Sequence, residues 1–175
     1  MSKTVWMFPG QGAQKVGMAK DFYENSTLAR QLFDEADAAL DFDLKDTCFE
    51  ENEQIHLTEY TQPCLVTACL AMAAELRKRG FRPDMTAGLS LGEYAAIAAA
   101  GGMSPPDAIR LVRKRGLLMQ NTIPAGEGAM CAVLGMETAV IETVLFGVDG
   151  VTIANYNCPG QLVITGRTAA VETAA

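Results

Sequence analysis

The spacing of apolar residues divides the chain into short runs of strand type and longer stretches of helical period. Thr4 to Phe8 is a β-branched and aromatic run that stops at Pro9-Gly10-Gln11-Gly12, the pattern of a buried strand entering a glycine-rich loop. Leu28, Leu32, Phe33, Ala36 and Leu40 recur at helical spacing and predict a first helix. Pro63, followed by apolar positions through Leu76 to Gly80, predicts a second, with proline at its start and glycine at its end. The acidic chain between these two carries no clear period and is expected to be irregular. Asp84 to Leu89 predicts another strand, which turns sharply at Ser90 into an alanine-rich helix over Leu91 to Ala100, stopped by Gly101-Gly102. Ser104-Pro105-Pro106-Asp107 supplies an N-cap, a proline in the first turn and an acid at the third position, and predicts a helix to about Gln120.

The pattern changes at Pro124-Ala125-Gly126-Glu127-Gly128, and the expected boundary divides a first domain, residues 1–124, from a second, residues 125–175. Ala129 to Leu134 reads as a strand and Glu137 to Phe146 as a helix. Val151 to Ala154 and Leu162 to Thr165 read as strands around the turn Asn157-Cys158-Pro159-Gly160. The tail is therefore β-α-β-β, and the fold class is α/β. Thr168 to Ala175 begins a further helical pattern with no glycine stop or charged last turn, so the sequence is expected to be cut inside an element.

Composition narrows the classes. Hydrophobic residues are 49% of the 175 and charged residues 20%, which supports a packed core and excludes disorder. The longest nearly apolar stretches, Cys64 to Ala74 and Tyr94 to Met103, fall short of the ~18 residues of a membrane span. The first residues lack the apolar segment of a secretion signal, and a cytoplasmic protein is expected. Five cysteines without a Cys-x-x-Cys pair, and the single histidine His56 without a neighbouring ligand, argue against a disulfide scaffold or a metal site. Residues 1–61 hold 12 acids and 5 bases, which accounts for the net charge of −7, and nucleic acid is disfavoured as a partner. Two basic clusters, Arg77-Lys78-Arg79 with Arg82 and Arg110 with Arg113-Lys114-Arg115, read as solvated helix ends or as a landing site for an acidic partner or an anionic cofactor.

Gly88-Leu89-Ser90-Leu91-Gly92 matches the nucleophile elbow, in which flanking glycines allow a strained strand-to-helix turn to expose a serine hydroxyl. Its Oγ and the Leu91 backbone N–H would sit where a helix N-terminus favours a developing oxyanion. Gly10 and Gly12 would let a backbone N–H of their loop approach a ligand oxygen closely. A dinucleotide fingerprint in that loop would need glycine where Lys15 stands. Arg115 and Met119, four apart, share a helix face and could line one cleft.

Four motifs then occur in order over essentially the whole chain: Phe8-Pro9-Gly10-Gln11-Gly12-Ala13-Gln14, Gly88-Leu89-Ser90-Leu91-Gly92-Glu93-Tyr94, Arg115-Gly116 with Met119-Gln120, and Asn155-Tyr156-Asn157-Cys158-Pro159-Gly160-Gln161. Together they resemble the malonyl-CoA:acyl-carrier-protein transacylases. The resemblance implies an α/β-hydrolase-like large domain, here incomplete, followed by the first part of an inserted ferredoxin-like subdomain. It implies Ser90 as nucleophile, the backbone N–H groups of Gln11 and Leu91 as oxyanion hole, Arg115 as the grip on the malonyl carboxylate and Met119 as a pocket wall. The implied partners are malonyl-CoA and acyl carrier protein, with no cofactor beyond the carrier's own phosphopantetheine, and no metal or membrane.

Two departures accompany the resemblance. Leu89 stands where the family more commonly has histidine, and the family's catalytic histidine has no match, so a later segment or a second chain is expected to supply it. His56, in a polar stretch, reads as a surface histidine. The basic cluster at 110–114 is the expected docking surface for an acidic carrier, and uncovered apolar faces or an open sheet edge are expected of an incomplete domain. Two other readings stay open: a serine hydrolase that passes the acyl group to water, and a truncated module that binds acyl-CoA without turnover.

Overall fold

In the computed structural model, which describes residues 2–124 and 126–175, the chain divides into two units, Met1–Gln120 and Asn121–Ala175. The division falls in the last turn of a helix. The boundary expected at Ala125 lies outside the described residues. Strands and helices alternate in both units, giving a mixed α/β protein.

The first unit carries two parallel strands, β1 (Val5–Phe8) and β2 (Met85–Gly88), paired from Val5 opposite Met85 to Phe8 opposite Gly88. Parallel neighbours need a long crossover, and helices α1 (Lys20–Asn25), α2 (Thr27–Ala39), α3 (Leu44–Phe49) and α4 (Thr58–Lys78) provide it. The acidic stretch expected to be irregular thus holds α3 and a 3-10 turn over Gln54–His56. Asp43 caps α3 by accepting from the Asp46 N–H at 2.8 Å, and Leu44, Cys48 and Ile55 are fully buried beneath these short pieces. Such elements last barely one apolar period, which is why spacing alone misses them.

Helix α4 is buried along most of its length, and it begins five residues earlier than Pro63 predicts. A proline inside a helix leaves the carbonyl four residues back without its N–H donor. Here that carbonyl belongs to Glu59, and Arg113 Nη1 donates to it at 2.9 Å. A side chain fifty residues away therefore supplies the bond that Pro63 cannot make, and the helix runs through.

After β2 come α5 (Gly92–Ala99) and α6 (Pro105–Thr122). Ser104 caps α6 as its sequence predicts: its hydroxyl accepts from the Asp107 N–H at 3.2 Å and donates to the Asp107 carboxylate at 2.6 Å. The core of this unit gathers Phe33, Leu44, Ile55, Val66, Leu91, Ile109 and Val112 from six segments. A cavity of about 610 Å³ lies between β1 and α4, lined by apolar side chains such as Trp6, Phe8, Leu65 and Met72. Parallel strands are normally covered on both faces, yet Met7 of β1 is 81% exposed and Met85 of β2 also faces outward.

The second unit is a three-stranded antiparallel sheet in the order β3 (Gly128–Leu134), β5 (Gln161–Arg167), β4 (Val151–Cys158), with α7 (Thr138–Phe146) and α8 (Thr168–Ala174). Since β5 pairs with both neighbours, β3-α7-β4 is a split β-α-β unit. Its small core is Ile141, Leu162, Ile164 and Val171. Strand β4 runs four residues beyond the predicted Ala154, over two register shifts, and leaves only Pro159-Gly160 for the turn. Bulges disturb the alternation that would have revealed those residues as strand.

Candidate active site

The turn at Ser90 is built by sterics. Ser90 has φ 48°, left-handed backbone that a non-glycine residue adopts at a cost of about 1 kcal/mol or more. A Cβ on Gly88 would fall 2.1 Å from the Gly92 carbonyl carbon, and one on Gly92 would fall 2.2 Å from the Phe8 oxygen. Both positions must therefore be glycine for the end of β2 to fold over against the end of β1. Leu91, fully buried, pins the turn from below and leaves Ser90 exposed above it.

The loop after β1 runs alongside. A Cβ on Gly10 would lie 2.9 Å from the Leu89 oxygen, so the Gln11 loop and the elbow are in contact. Gly12 has φ 108°, and its N–H is held by Gln14 Oε1 at 2.7 Å. Among the described residues, neither the Gln11 nor the Leu91 backbone N–H meets a protein acceptor. Both loops leave the C-terminal ends of adjacent parallel strands, where open α/β sheets place their sites.

Helix α6 brings the guanidinium. Gly116 lets it approach closely, since a Cβ there would sit 2.8 Å from Glu59 Cα and 2.9 Å from the Thr58 oxygen on α4. Arg115 Nη2 then lies 3.3 Å from Ser90 Oγ, Nη1 donates to Gln62 Oε1 at 2.7 Å, and the guanidinium carbon stands 5.7 Å from the Tyr94 ring centre. Met119 meets the same glutamine: Gln62 Nε2 approaches its sulfur at 3.3 Å, so the predicted shared face of Arg115 and Met119 is present. Gln62 Nε2 also donates to Thr58 Oγ1 at 3.0 Å, and that hydroxyl donates to Gln11 Oε1 at 2.6 Å. All five predicted residues thus belong to one neighbourhood, four of them through side chains or the elbow and Gln11 through its link to Thr58.

Gln62 and Thr58 were not legible as site residues. Reading α4 as starting at Pro63 leaves both in a loop before the helix. The available signal was Gln62 itself, a polar residue at the head of an apolar stretch; in the structure it is 0% exposed, and such a group is buried only with its hydrogen bonds made.

Within the basic cluster at 110–114, the reading as a docking surface fails for Arg113 alone, while Arg110 and Lys114 stay exposed. Arg113 is only 8% exposed, and Asp41 takes its Nε and Nη2 in a bidentate pair at 2.8 and 3.0 Å. Nη1 donates to the Glu59 carboxylate at 3.1 Å, and the guanidinium lies between the rings of Phe42 and Tyr60. Arg110 is paired with Asp107 at 2.6 Å. Of the 77–82 cluster, Arg77 donates to the Ala99 carbonyl and faces the Trp6 ring, and Arg79 pairs with Glu75. Among the described residues, Arg115 has no carboxylate within ion-pair distance.

Two buried thiols are disfavoured as nucleophiles. Cys48 is pushed far above the ordinary thiol value by its hydrogen bond with Cys64 and by burial, and burial raises Cys69 to about 11. His56 lies exposed in its 3-10 turn and has no bond to Ser90. Among the described residues no cluster could hold a metal ion, and no helix is long and apolar enough to cross a membrane.

Known proteins are similar to this chain in sequence and in fold. The malonyl CoA-acyl carrier protein transacylase of Bacillus subtilis (strain 168) is 48% identical over 179 residues, covering 99% of this chain and 56% of its own length. The solved acyl-carrier-protein-S-malonyltransferase of Bartonella henselae superposes with a TM-score of 0.90 at 39% identity, over 99% of this chain and 58% of that one. A malonyl-transacylase solved in complex with its type II PKS acyl-carrier protein gives 0.90 at 38%, again over 99% and 58%. The chain spans just over half the length of these relatives. The pattern of the acyl transferase domain matches residues 5–174, from the first residue of β1 to the last of α8. With that match covering the elbow, the glycine loop and the arginine helix alike, this chain belongs to the acyl transferase domain family.

Proposed function

We propose that these residues form the nucleophile-bearing part of a malonyl-CoA:acyl-carrier-protein transacylase, acting in fatty-acid or polyketide biosynthesis. The observation that carries the reading is Arg115, a guanidinium 3.3 Å from the exposed Ser90 hydroxyl whose protein partners are neutral. An arginine left uncompensated beside a nucleophile suits a substrate that brings its own carboxylate, gripped by two parallel N–H bonds.

In this reading Ser90 Oγ attacks the malonyl thioester carbonyl, the Gln11 and Leu91 N–H groups receive the oxyanion, and CoA leaves as its thiol. The phosphopantetheine thiol of the carrier then attacks the malonyl-serine ester and frees Ser90. Met119 walls the pocket beside Gln62. The general base is a histidine from outside residues 1–175, supplied by further sequence or by a second chain. The reading calls for no metal or organic cofactor in the protein and for a cytoplasmic setting, where both thioesters are made. The first unit corresponds in it to part of an α/β-hydrolase-like domain, over residues 1–124. Residues 125–175 correspond to the opening of a ferredoxin-like subdomain, which the split β-α-β order supports.

Intact-mass analysis of the protein at its full encoded length, incubated with malonyl-CoA, should reveal one malonyl adduct that peptide mapping assigns to Ser90 and that Ser90→Ala abolishes. Folded protein that forms no adduct, or carries it on another residue, refutes the reading. Free malonate released at the same rate with and without acyl carrier protein would favour a hydrolase.

A further inference from the structure

We propose that Thr58 is a positioning residue that sets the direction of the polar chain joining Arg115 to the Gln11 loop. The inference rests on the acyl-transfer reading and deepens it. A threonine hydroxyl has one proton to give. Thr58 gives it to Gln11 Oε1 at 2.6 Å, so toward Gln62 it can only accept, and Gln62 Nε2 donates to it at 3.0 Å. That fixes the buried amide: its nitrogen faces Thr58 and the Met119 sulfur, and its oxygen is left for Arg115 Nη1 at 2.7 Å. A reversed amide would set NH₂ against a guanidinium, which has no acceptor, and would claim the proton that now holds Gln11.

The position in the fold suits the task. Thr58 is the first residue of α4, after Leu57, which makes no side-chain cap. Its side chain reaches 47 residues back to the Gln11 loop, while its carbonyl forms part of the surface against which Gly116 packs α6. The hydroxyl ties the loop whose backbone N–H meets the oxyanion to the helix that aims the guanidinium. Its loss should therefore act on the chemical step through a loosened donor, more than on substrate binding.

The test compares acylation by malonyl-CoA, in the protein at its full encoded length, for Thr58→Val and Thr58→Ser. Thr58→Val should lower the acylation rate about tenfold with KM changed less than about twofold, and Thr58→Ser, which keeps the hydroxyl, should stay within about twofold of the parent. In a Gln11→Ala background, where the far end of the link is gone, Thr58→Val should add less than about twofold. Parent-like rates in Thr58→Val, or Thr58→Ser as slow as Thr58→Val, overturn the proposal. If Thr58→Val does not fold, Gln11→Ala alone decides: a loss of about tenfold upholds the link and a parent-like rate overturns it. An unmodified parent Ser90 would instead bring down the acyl-transfer reading itself.

Discussion

Two arginines on α6 stand two residues apart and therefore about 200° apart around the helix. Arg113 faces the start of α4 and the Asp41 loop, where two carboxylates, a carbonyl and two aromatic rings close over it. Arg115 faces the elbow, where it meets an amide oxygen, a hydroxyl and one ring. The same guanidinium group is thus a strut on one side and, in the proposed reading, an anion receptor on the other. Charge balance makes the difference: a buried cation already matched by acids has little attraction left for a ligand, whereas one held by neutral acceptors keeps it.

Replacing Arg113 by Met should give the largest effect, a loss of about 3 kcal/mol in stability, because the Glu59 carboxylate and the carbonyl freed by Pro63 lose a buried donor. Chemical denaturation would measure it, and a parent-like midpoint would break the distinction between the two arginines. Arg115→Ala should leave the melting temperature nearly unchanged while slowing malonyl transfer on the order of 30-fold, about 2 kcal/mol. Transfer of an uncharged acyl group should suffer far less, and equal losses for the two substrates would remove the receptor role.

A double-mutant cycle sharpens the strut. Pro63→Ala restores an N–H for the Glu59 carbonyl, so it should be more favourable with Met at 113 than with Arg, by about 1 kcal/mol. Additive effects would mean that the Arg113 bond to that carbonyl contributes nothing. The smallest effect is in acid. The Asp41 carboxyl is held below its ordinary value of 3.8, chiefly by the Arg113 hydrogen bond. A depressed carboxylate stabilises the fold fully above the unfolded value and loses that contribution as pH falls through the folded one. Stability measured from pH 5 downward should therefore fall less steeply in Arg113→Met than in the parent.

The elbow was legible from five consecutive residues because its pattern is compact, with Gly88 dictated by Gly92 within the turn itself, even though Gly92 is dictated by the Phe8 carbonyl of the neighbouring strand. The strands other than the second half of β4, the Ser104 cap and the spacing of Arg115 and Met119 were readable for the same reason. The α4 start misled because proline is the strongest local stop signal, and what overruled it was Arg113, 54 residues from Glu59. Arg113 itself looked like part of a solvated basic run, since nothing near it in the chain hints at Asp41, 72 residues away.

Residue order alone determined where the elbow turns, most of the longer helices and strands, and that a serine would be pushed out between two glycines, largely consequences of sterics and period over a few residues. Only the tertiary structure decided which arginine keeps its charge available, that Gln62 and Thr58 join the site, and that α4 survives its proline. Each of those outcomes depends on which acceptor lies within about 3 Å of a donor, a distance that packing sets between segments dozens of residues apart.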